Sequence, residues 1–321
     1  MNYKPIIVVA GEPFSIFLEI LFKAIFLKKY RNPIILIVSK NLLIQQMKKL
    51  NYNFKINLID KKEIVINNLN NNKINIINVD FNFTKPFDKI SSKSNSYINE
   101  CFKIALNLIK KNKCIGLING PVSKKSFLKG KYLGITEYLA EKTKKKNNVA
   151  MLIYNKKLSV SPITTHLPLK LVSKNLSKKK IINHVKLVKK FYKKEFHKNP
   201  KIAITGLNPH CESNFRSSEE EKIIIPAIKI LNKKRIYVCG PFAADTIFMK
   251  NNLKKYDVVI GMYHDQVLTP IKTLFDFKAI NITLGLPFIR ISPDHGPNTR
   301  MLGKNLSSPQ SIIEAFNFLS R

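Results

Sequence analysis

What this chain has little of narrows its possible classes. Its four cysteines, Cys101, Cys114, Cys211 and Cys239, form no C-x-x-C pair and no short secreted framework. They read as buried or free thiols of a reducing cytosol, with packing favoured over a metal role even for Cys211 beside His210. No apolar stretch suits a membrane span, and Glu12, Glu19 and Lys23 interrupt the apolar N-terminal region, which also argues against a signal segment. A soluble, cytoplasmic protein is expected. Neither a G-x-G-x-x-G run nor a Walker loop occurs, so the common nucleotide fingerprints are missing.

Acidic residues are scarce as well: 20 against 56 basic ones, for a net charge of +36. A basic surface can neutralise phosphates and release counterions, which is the footprint of nucleic-acid binding. Here the lysines are scattered, with no Arg–aromatic interleaving and no recognisable nucleic-acid module. Runs such as Asn67-Asn68-Leu69-Asn70-Asn71-Asn72 and Lys142-Thr143-Lys144-Lys145-Lys146 look like coding bias that fills solvated positions. Nucleic acid is therefore not an expected partner, although the charge can draw in an anionic substrate.

What remains is ample material for a folded core: 321 residues, 45% of them hydrophobic. That size suits two domains or one large α/β unit. Strand-like apolar runs at Ile6–Ala10, Ile34–Val38, Ile74–Val79, Cys114–Ile118, Val149–Tyr154, Leu158–Thr164, Lys201–Thr205, Asp257–Gly261 and Ala279–Thr283 alternate with helical patterns. The helices run from the Gly11-Glu12-Pro13 turn to about Lys29, then Leu42–Leu50, Ser94–Lys111, Ser177–Glu195, Ser217–Asn232 and Ser308–Leu319. Ser307 or Ser308 would cap the last one, with Pro309 in its first turn. Alternation of this kind predicts an α/β protein with a largely parallel sheet, whose ligands gather at the carboxyl ends of strands.

Three of the six histidines fall just after predicted strands: His166 in Thr164-Thr165-His166-Leu167-Pro168, His210 in Gly206-Leu207-Asn208-Pro209-His210, and His264 in Tyr263-His264-Asp265-Gln266. Neutral imidazole is the commonest ligand for a catalytic divalent metal, and such sites use three protein ligands. Three separate histidines satisfied at turns is the plainer alternative. His184 and His197 lie in and beyond a Lys-rich helix and are expected to be solvated. Lys272, Asn281 and Arg290 form a set suited to a phosphate or carboxylate: a point charge, a neutral donor and a fork. Arg290 follows an apolar run, so it should be buried and need a partner. Asp245, after Gly240-Pro241, reads as a helix cap or as a proton acceptor. Asp294, His295 and Gly296 form a turn that could hold a nucleotide or be a plain loop.

In order along the chain, Gly120-Pro121-Val122-Ser123-Lys124, Thr164-Thr165-His166-Leu167-Pro168-Leu169, Gly206-Leu207-Asn208-Pro209-His210, Tyr263-His264-Asp265-Gln266 and Asn281 through Arg290 resemble the 4-hydroxythreonine-4-phosphate dehydrogenase family of pyridoxal phosphate biosynthesis. The resemblance implies a two-domain α/β/α fold like that of isocitrate and isopropylmalate dehydrogenases, with the active site in the interdomain cleft. It implies an outer domain of residues 1–122 and 284–321 carrying the cofactor turn. A second domain of residues 123–283 would carry the metal ligands and dimer contacts. It further implies a homodimer with a shared site and a divalent metal (zinc, magnesium, cobalt or manganese) on His166, His210 and His264. A small phosphorylated substrate would lie on Thr136, Lys272, Asn281 and Arg290, and NAD or NADP against Asp294, His295 and Gly296. The metal would lower the pKa of the substrate hydroxyl, easing hydride loss to the nicotinamide and then decarboxylation. Lys272 would grip the anion and Asp245 is the candidate proton acceptor.

The chain departs from the family pattern in three places. Gly134-Ile135-Thr136-Glu137 has Ile135 where a histidine is usual; Phe17 occupies a position usually given to glycine; and Arg300 stands where an acid is expected. The alternatives these departures raise are a dehydrogenase of phospho-threonate or phospho-erythronate, and a ligand-binding relative without its cofactor.

Overall fold

The computed structural model describes residues 3–61, 68–128, 130–132, 134–145, 148–211, 217–293 and 295–321. Two compact units divide the chain: Met1–Tyr138 with Pro287–Arg321, and Leu139–Leu286. The first crossover thus falls at Tyr138, later than the expected change after residue 122, and the second falls after Leu286.

The discontinuous unit contains β1 (Ile6–Val9), α1 (Phe17–Leu27), β2 (Ile34–Val38), α2 (Lys40–Lys49), β3 (Ile56–Leu58), β4 (Ile74–Asn78), α3 (Asn95–Lys110), β5 (Gly116–Asn119) and the start of α4 (Ile135–Lys142). The second unit adds β6 (Ala150–Tyr154), β7 (Ser159–Thr164), α5 (Lys178–Phe196), β8 (Ile202–Thr205), α6 (Ile225–Lys233), β9 (Val238–Phe242), α7 (Lys250–Leu253), β10 (Val258–Tyr263), α8 (His264–Phe275) and β11 (Ile280–Leu284). The chain then returns to the first unit with β12 (Arg290–Pro293) and α9 (Gln310–Leu319).

In the discontinuous unit the strand order is β3-β4-β2-β1-β5-β12, and every described pairing is parallel. A parallel strand covered on both faces must be apolar throughout, and Ile6-Ile7-Val8-Val9 is fully buried. Helix α3 presents Ile98, Cys101, Phe102, Ala105 and Leu108 as its buried stripe. Helix α9 packs by Phe316, whose ring lies 4.6 Å from that of Tyr30. Pro309 stands at the N-cap of α9, and the Ser308 hydroxyl accepts from the Gln310 N–H at 3.4 Å.

Phe17 opens α1 and is wholly buried. Its ring fits because residue 120 has no side chain: a Cβ there would lie 2.7 Å from Phe17 and 2.1 Å from the Ala10 carbonyl. The bulky residue is therefore accommodated against a glycine on the neighbouring strand end.

In the second unit the order is β11-β6-β7-β10-β8-β9. Strand β6 pairs antiparallel with β11 and β7, while β7-β10, β10-β8 and β8-β9 are parallel. The expected largely parallel sheet is present. Ile153, Val160, Ala203, Val259, Val267 and Ile271 share one buried cluster. Helix α5 starts at Ser177, whose hydroxyl accepts from the Lys180 N–H at 3.2 Å, and it buries Ile181, Val185, Val188 and Tyr192 on one stripe.

His184 sits on that same stripe, which corrects its expected solvation. It is 7% exposed and lies 2.6 Å from the Ser161 hydroxyl. Ser161 donates its own proton to the Met151 carbonyl, so the neutral imidazole is the donor in this contact. Burial pushes the His184 pKa down to about 4, with Lys180 adding to the effect. The helix expected at Asp245 is also absent: Gly240-Pro241 belongs to β9, Asp245 is exposed in the following turns, and α7 begins with Met249 at its N-cap.

Gly120→Ala should destabilise the chain by about 2 kcal/mol or more, as overpacking of a closed contact does. Urea unfolding would show it as a lower midpoint at unchanged slope, and an unchanged midpoint would contradict the packing account.

Candidate metal and substrate site

The three strand-end histidines follow β7, β10 and β8, which are neighbours in the sheet. Parallel register aligns Thr164 with Tyr263, and Ile204 with Ile260, so all three strands run out on one edge. His166 comes two residues beyond β7, in left-handed backbone at φ 40°. His264 is the first residue of α8. Their ring centroids lie 5.8 Å apart and share a cavity of about 280 Å³ with Thr164, Thr165, Tyr263 and Asp265. The Asp265 carboxylate lies 2.6 Å from His264 Nδ1 and orients the ring, which would leave Nε2 as the nitrogen for a ligand.

His210 lies past β8 in the short turn Pro209–Cys211, again in left-handed backbone at φ 58°. It does not line the His166–His264 cavity, and no group of three His, Cys, Asp or Glu side chains able to hold a metal occurs among the described residues. The chain thus brings two predicted ligands together and places the third on the adjacent strand end. Two imidazoles held tetrahedrally at metal–nitrogen distances of 2.0–2.1 Å have centroids about 5 Å apart. The observed pair suits a divalent metal in ligand type, with its centroids somewhat wider apart than that spacing.

Lys272 is exposed near the end of α8, two helical turns beyond His264, or about 12 Å along the axis. Asn281 lies on β11, and its side-chain carbonyl oxygen is buried with no hydrogen-bond partner among the described residues. A buried acceptor in that state is open to a donor from water or from a ligand.

The discontinuous unit holds the rest of the predicted set. Arg290 opens β12 and is fully buried, as its position after an apolar run predicts. Its Nε donates to the Asn119 side-chain oxygen at 2.7 Å, and Nη1 donates to the Thr136 hydroxyl at 3.5 Å. Burial lowers its pKa to about 9 while Glu137 works the other way, so it remains a cation at neutral pH. Ile135 heads α4 beside Thr136 and offers no polar group.

Asp294 lies outside the described residues. His295 and Gly296 follow it, Gly296 in open space, and the next residue's carbonyl accepts from the Ile16 N–H at 3.2 Å. The proposed cofactor turn is thereby tied to the start of α1, while Arg300 is exposed on the following turn. Two residues of these contacts carry no role in the sequence reading: Asn119, which adjoins the Gly120 phrase, and Asp265, which lies inside the His264 phrase.

Glu12 is an unexpected feature of this edge. It is 1% exposed, accepts from the Ser94 hydroxyl at 2.9 Å, and has no hydrogen bond to its second oxygen among the described residues. Burial raises its pKa to about 7, against the opposing effect of the Ser94 and Ser123 hydrogen bonds.

A largely parallel α/β protein with an imidazole pair at the strand edge of one unit and a buried guanidinium in the other offers groups suited to a metal ion and an anion. Residues 29–319 match the family described as pyridoxal phosphate biosynthetic protein PdxA, and the chain belongs to that family. A 4-hydroxythreonine-4-phosphate dehydrogenase from Sulfurihydrogenibium sp. (strain YO3AOP1) is 40% identical over 95% of this chain and 94% of its own. A protein of the same name from Wigglesworthia glossinidia brevipalpis is 35% identical over 97% and 94%. The crystal structure of 4-hydroxythreonine-4-phosphate dehydrogenase from Klebsiella pneumoniae superposes with a TM-score of 0.84, at 28% identity over 98% of both chains. No described helix is long and apolar enough to cross a membrane.

Glu12→Gln should remove a pH dependence of stability. A carboxyl whose pKa rises on folding stabilises the fold fully below its unfolded value of 4.5, and that contribution is lost as pH rises through about 7. The variant should gain up to roughly 3 kcal/mol over the parent at pH 8 and nothing near pH 4. Parallel stability profiles for the two proteins across this range would refute the assignment.

Proposed function

We propose that this chain is a metal- and NAD(P)-dependent homodimeric enzyme that oxidises and decarboxylates 4-(phosphooxy)-L-threonine to 3-amino-2-oxopropyl phosphate. The observation that carries this reading is the His166–His264 pair, kept at one strand edge in a chain that belongs to this dehydrogenase family. His166, His210 and His264 would hold the metal, with the set completed across the dimer. When bound, the metal supplies Lewis acidity that eases loss of the substrate hydroxyl proton.

The chain's own residues supply binding and orientation. Arg290, fixed by Asn119 and Thr136, presents a charged fork in a dry setting, where an anionic group is held more strongly than in water. Lys272 adds a point charge for the phosphate. The buried Asn281 oxygen accepts from a substrate donor such as an ammonium or hydroxyl. Asp245, an exposed carboxylate beyond β9, is the proton acceptor in this reading. Asp294, His295 and Gly296 would hold the dinucleotide, and Arg300 nearby favours a cofactor bearing a 2′-phosphate.

Ile135 gives a second reading its basis. One contact to the usual substrate is absent there, and the second reading is a dehydrogenase of a related phosphorylated hydroxy acid such as phospho-threonate or phospho-erythronate. Purified protein supplied with zinc, cobalt, manganese or magnesium should reduce NAD or NADP on 4-(phosphooxy)-L-threonine, and His210→Ala should abolish turnover. Turnover only on the hydroxy-acid phosphates would establish the second reading. Failure with every substrate and both cofactors in metal-replete protein would overturn both.

A further inference from the structure

Gln266 is part of the Tyr263-His264-Asp265-Gln266 phrase, yet neither a metal nor a substrate role falls to it. It lies in the first turn of α8, two residues beyond His264, and its side-chain amide makes three hydrogen bonds. The side-chain oxygen accepts from the Met262 N–H at 2.7 Å and from the Thr205 hydroxyl at 2.9 Å. The side-chain nitrogen donates to the Gly206 carbonyl at 2.7 Å. One planar group thus joins the end of β10 to the end of β8, the strands that lead into His264 and His210.

The clasp extends one strand further. Thr164 donates its hydroxyl to the Met262 carbonyl at 2.7 Å, so the peptide whose N–H Gln266 engages neighbours the one that anchors the exit of β7 before His166. The sequence makes room for this arrangement. A Cβ at Gly261 would lie 3.0 Å from the Gln266 oxygen and 2.4 Å from Val267, so any larger residue would push the first turn of α8 off the strand.

The loop at the far end of the clasp is held independently. Buried Glu220 accepts from the Leu207 and Asn208 N–H groups at 2.7 and 2.9 Å, and from the Asn208 side chain at 2.8 Å. His210 and Cys211 follow with φ of 58° and 61°. Two consecutive non-glycine residues in left-handed backbone persist only where their surroundings over-determine them. Glu220 fixes the loop's internal shape, whereas Gln266 fixes its distance from α8.

We infer that Gln266 is a positioning residue for the metal site: its amide sets the spacing between the strand ends that carry His264 and His210. The inference rests on the metal reading given above. Supporting groups around a metal ligand set typically change its affinity about 10- to 100-fold when removed. Gln266→Met keeps the side-chain length and removes both the donor and the acceptor.

Cobalt(II) titration followed by visible absorption tests this on the full-length protein, at a temperature where circular dichroism shows each variant folded. The parent should bind cobalt in a manner abolished by His264→Ala. Gln266→Met should bind about 10- to 100-fold more weakly with a shifted absorption band. A parent with no His264-dependent cobalt binding overturns the metal reading and this inference together. Tight parent binding with Gln266→Met within twofold of it overturns the inference alone. If Gln266→Met does not fold, Thr205→Val removes one of the three bonds while keeping volume. It should weaken cobalt roughly three- to tenfold, the cost of one hydrogen bond, and unchanged affinity there overturns the inference.

Discussion

The parallel pairing of β7, β10 and β8 is the constraint on which the proposed chemistry depends. In a parallel ladder, strands that are neighbours must also end on the same edge, so residues that follow each strand become neighbours in space. His166 and His264 meet for this reason, although 98 residues separate Thr164 from Met262 along the chain. Side-chain hydrogen bonds across the strand ends convert that rough proximity into a fixed spacing. Left-handed backbone at His166 and His210 turns each loop sharply, at a local cost of order 1 kcal/mol each that the surrounding contacts offset.

The discontinuous unit solves a different problem, which is how to keep a cation in an apolar interior. Arg290 is wholly buried, and Asn119 and Thr136 hold its fork from the end of β5 and the start of α4. Burial alone would disfavour the charge, and the carboxylate of Glu137 works against that effect. Glu12 behaves in the opposite sense. Its burial raises its pKa, so the carboxyl has a neutral form at this edge close to physiological pH. The departures from the family pattern sort the same way. Phe17 is absorbed by packing on Gly120, whereas Ile135 brings no polar group to the start of α4 and Arg300 places an exposed cation after the turn at Gly296.

Much of this was legible in the residues. Continuous apolar runs such as Ile6–Val9 announced the buried parallel strands, and the placement of Arg290 after an apolar run foretold its burial. Helix α8 was not assigned, because Pro270 removes a backbone donor inside it and imitates a loop. The short strand β3, with only three residues amid Asn-rich sequence, carries too few apolar positions to show a period. His184 was misjudged for an instructive reason. Lysines dominate its helix, but helical spacing places it on the stripe of Ile181, Val185 and Val188, and spacing decides burial. Asp245 could be named as a cap or an acid from residue type, but only the fold shows that no helix begins there. The crossover at Tyr138 lies within α4, where no change of composition marks it.

The central claim is that the strand-end histidines form one metal site. X-ray absorption at the metal edge, on the zinc-loaded full-length protein, tests it most directly. The account predicts one zinc per chain with three imidazole ligands, and a loss of imidazole scattering in His166→Ala, His210→Ala and His264→Ala alike. Zinc bound through sulfur, or a spectrum unchanged by any one of these substitutions, would contradict it.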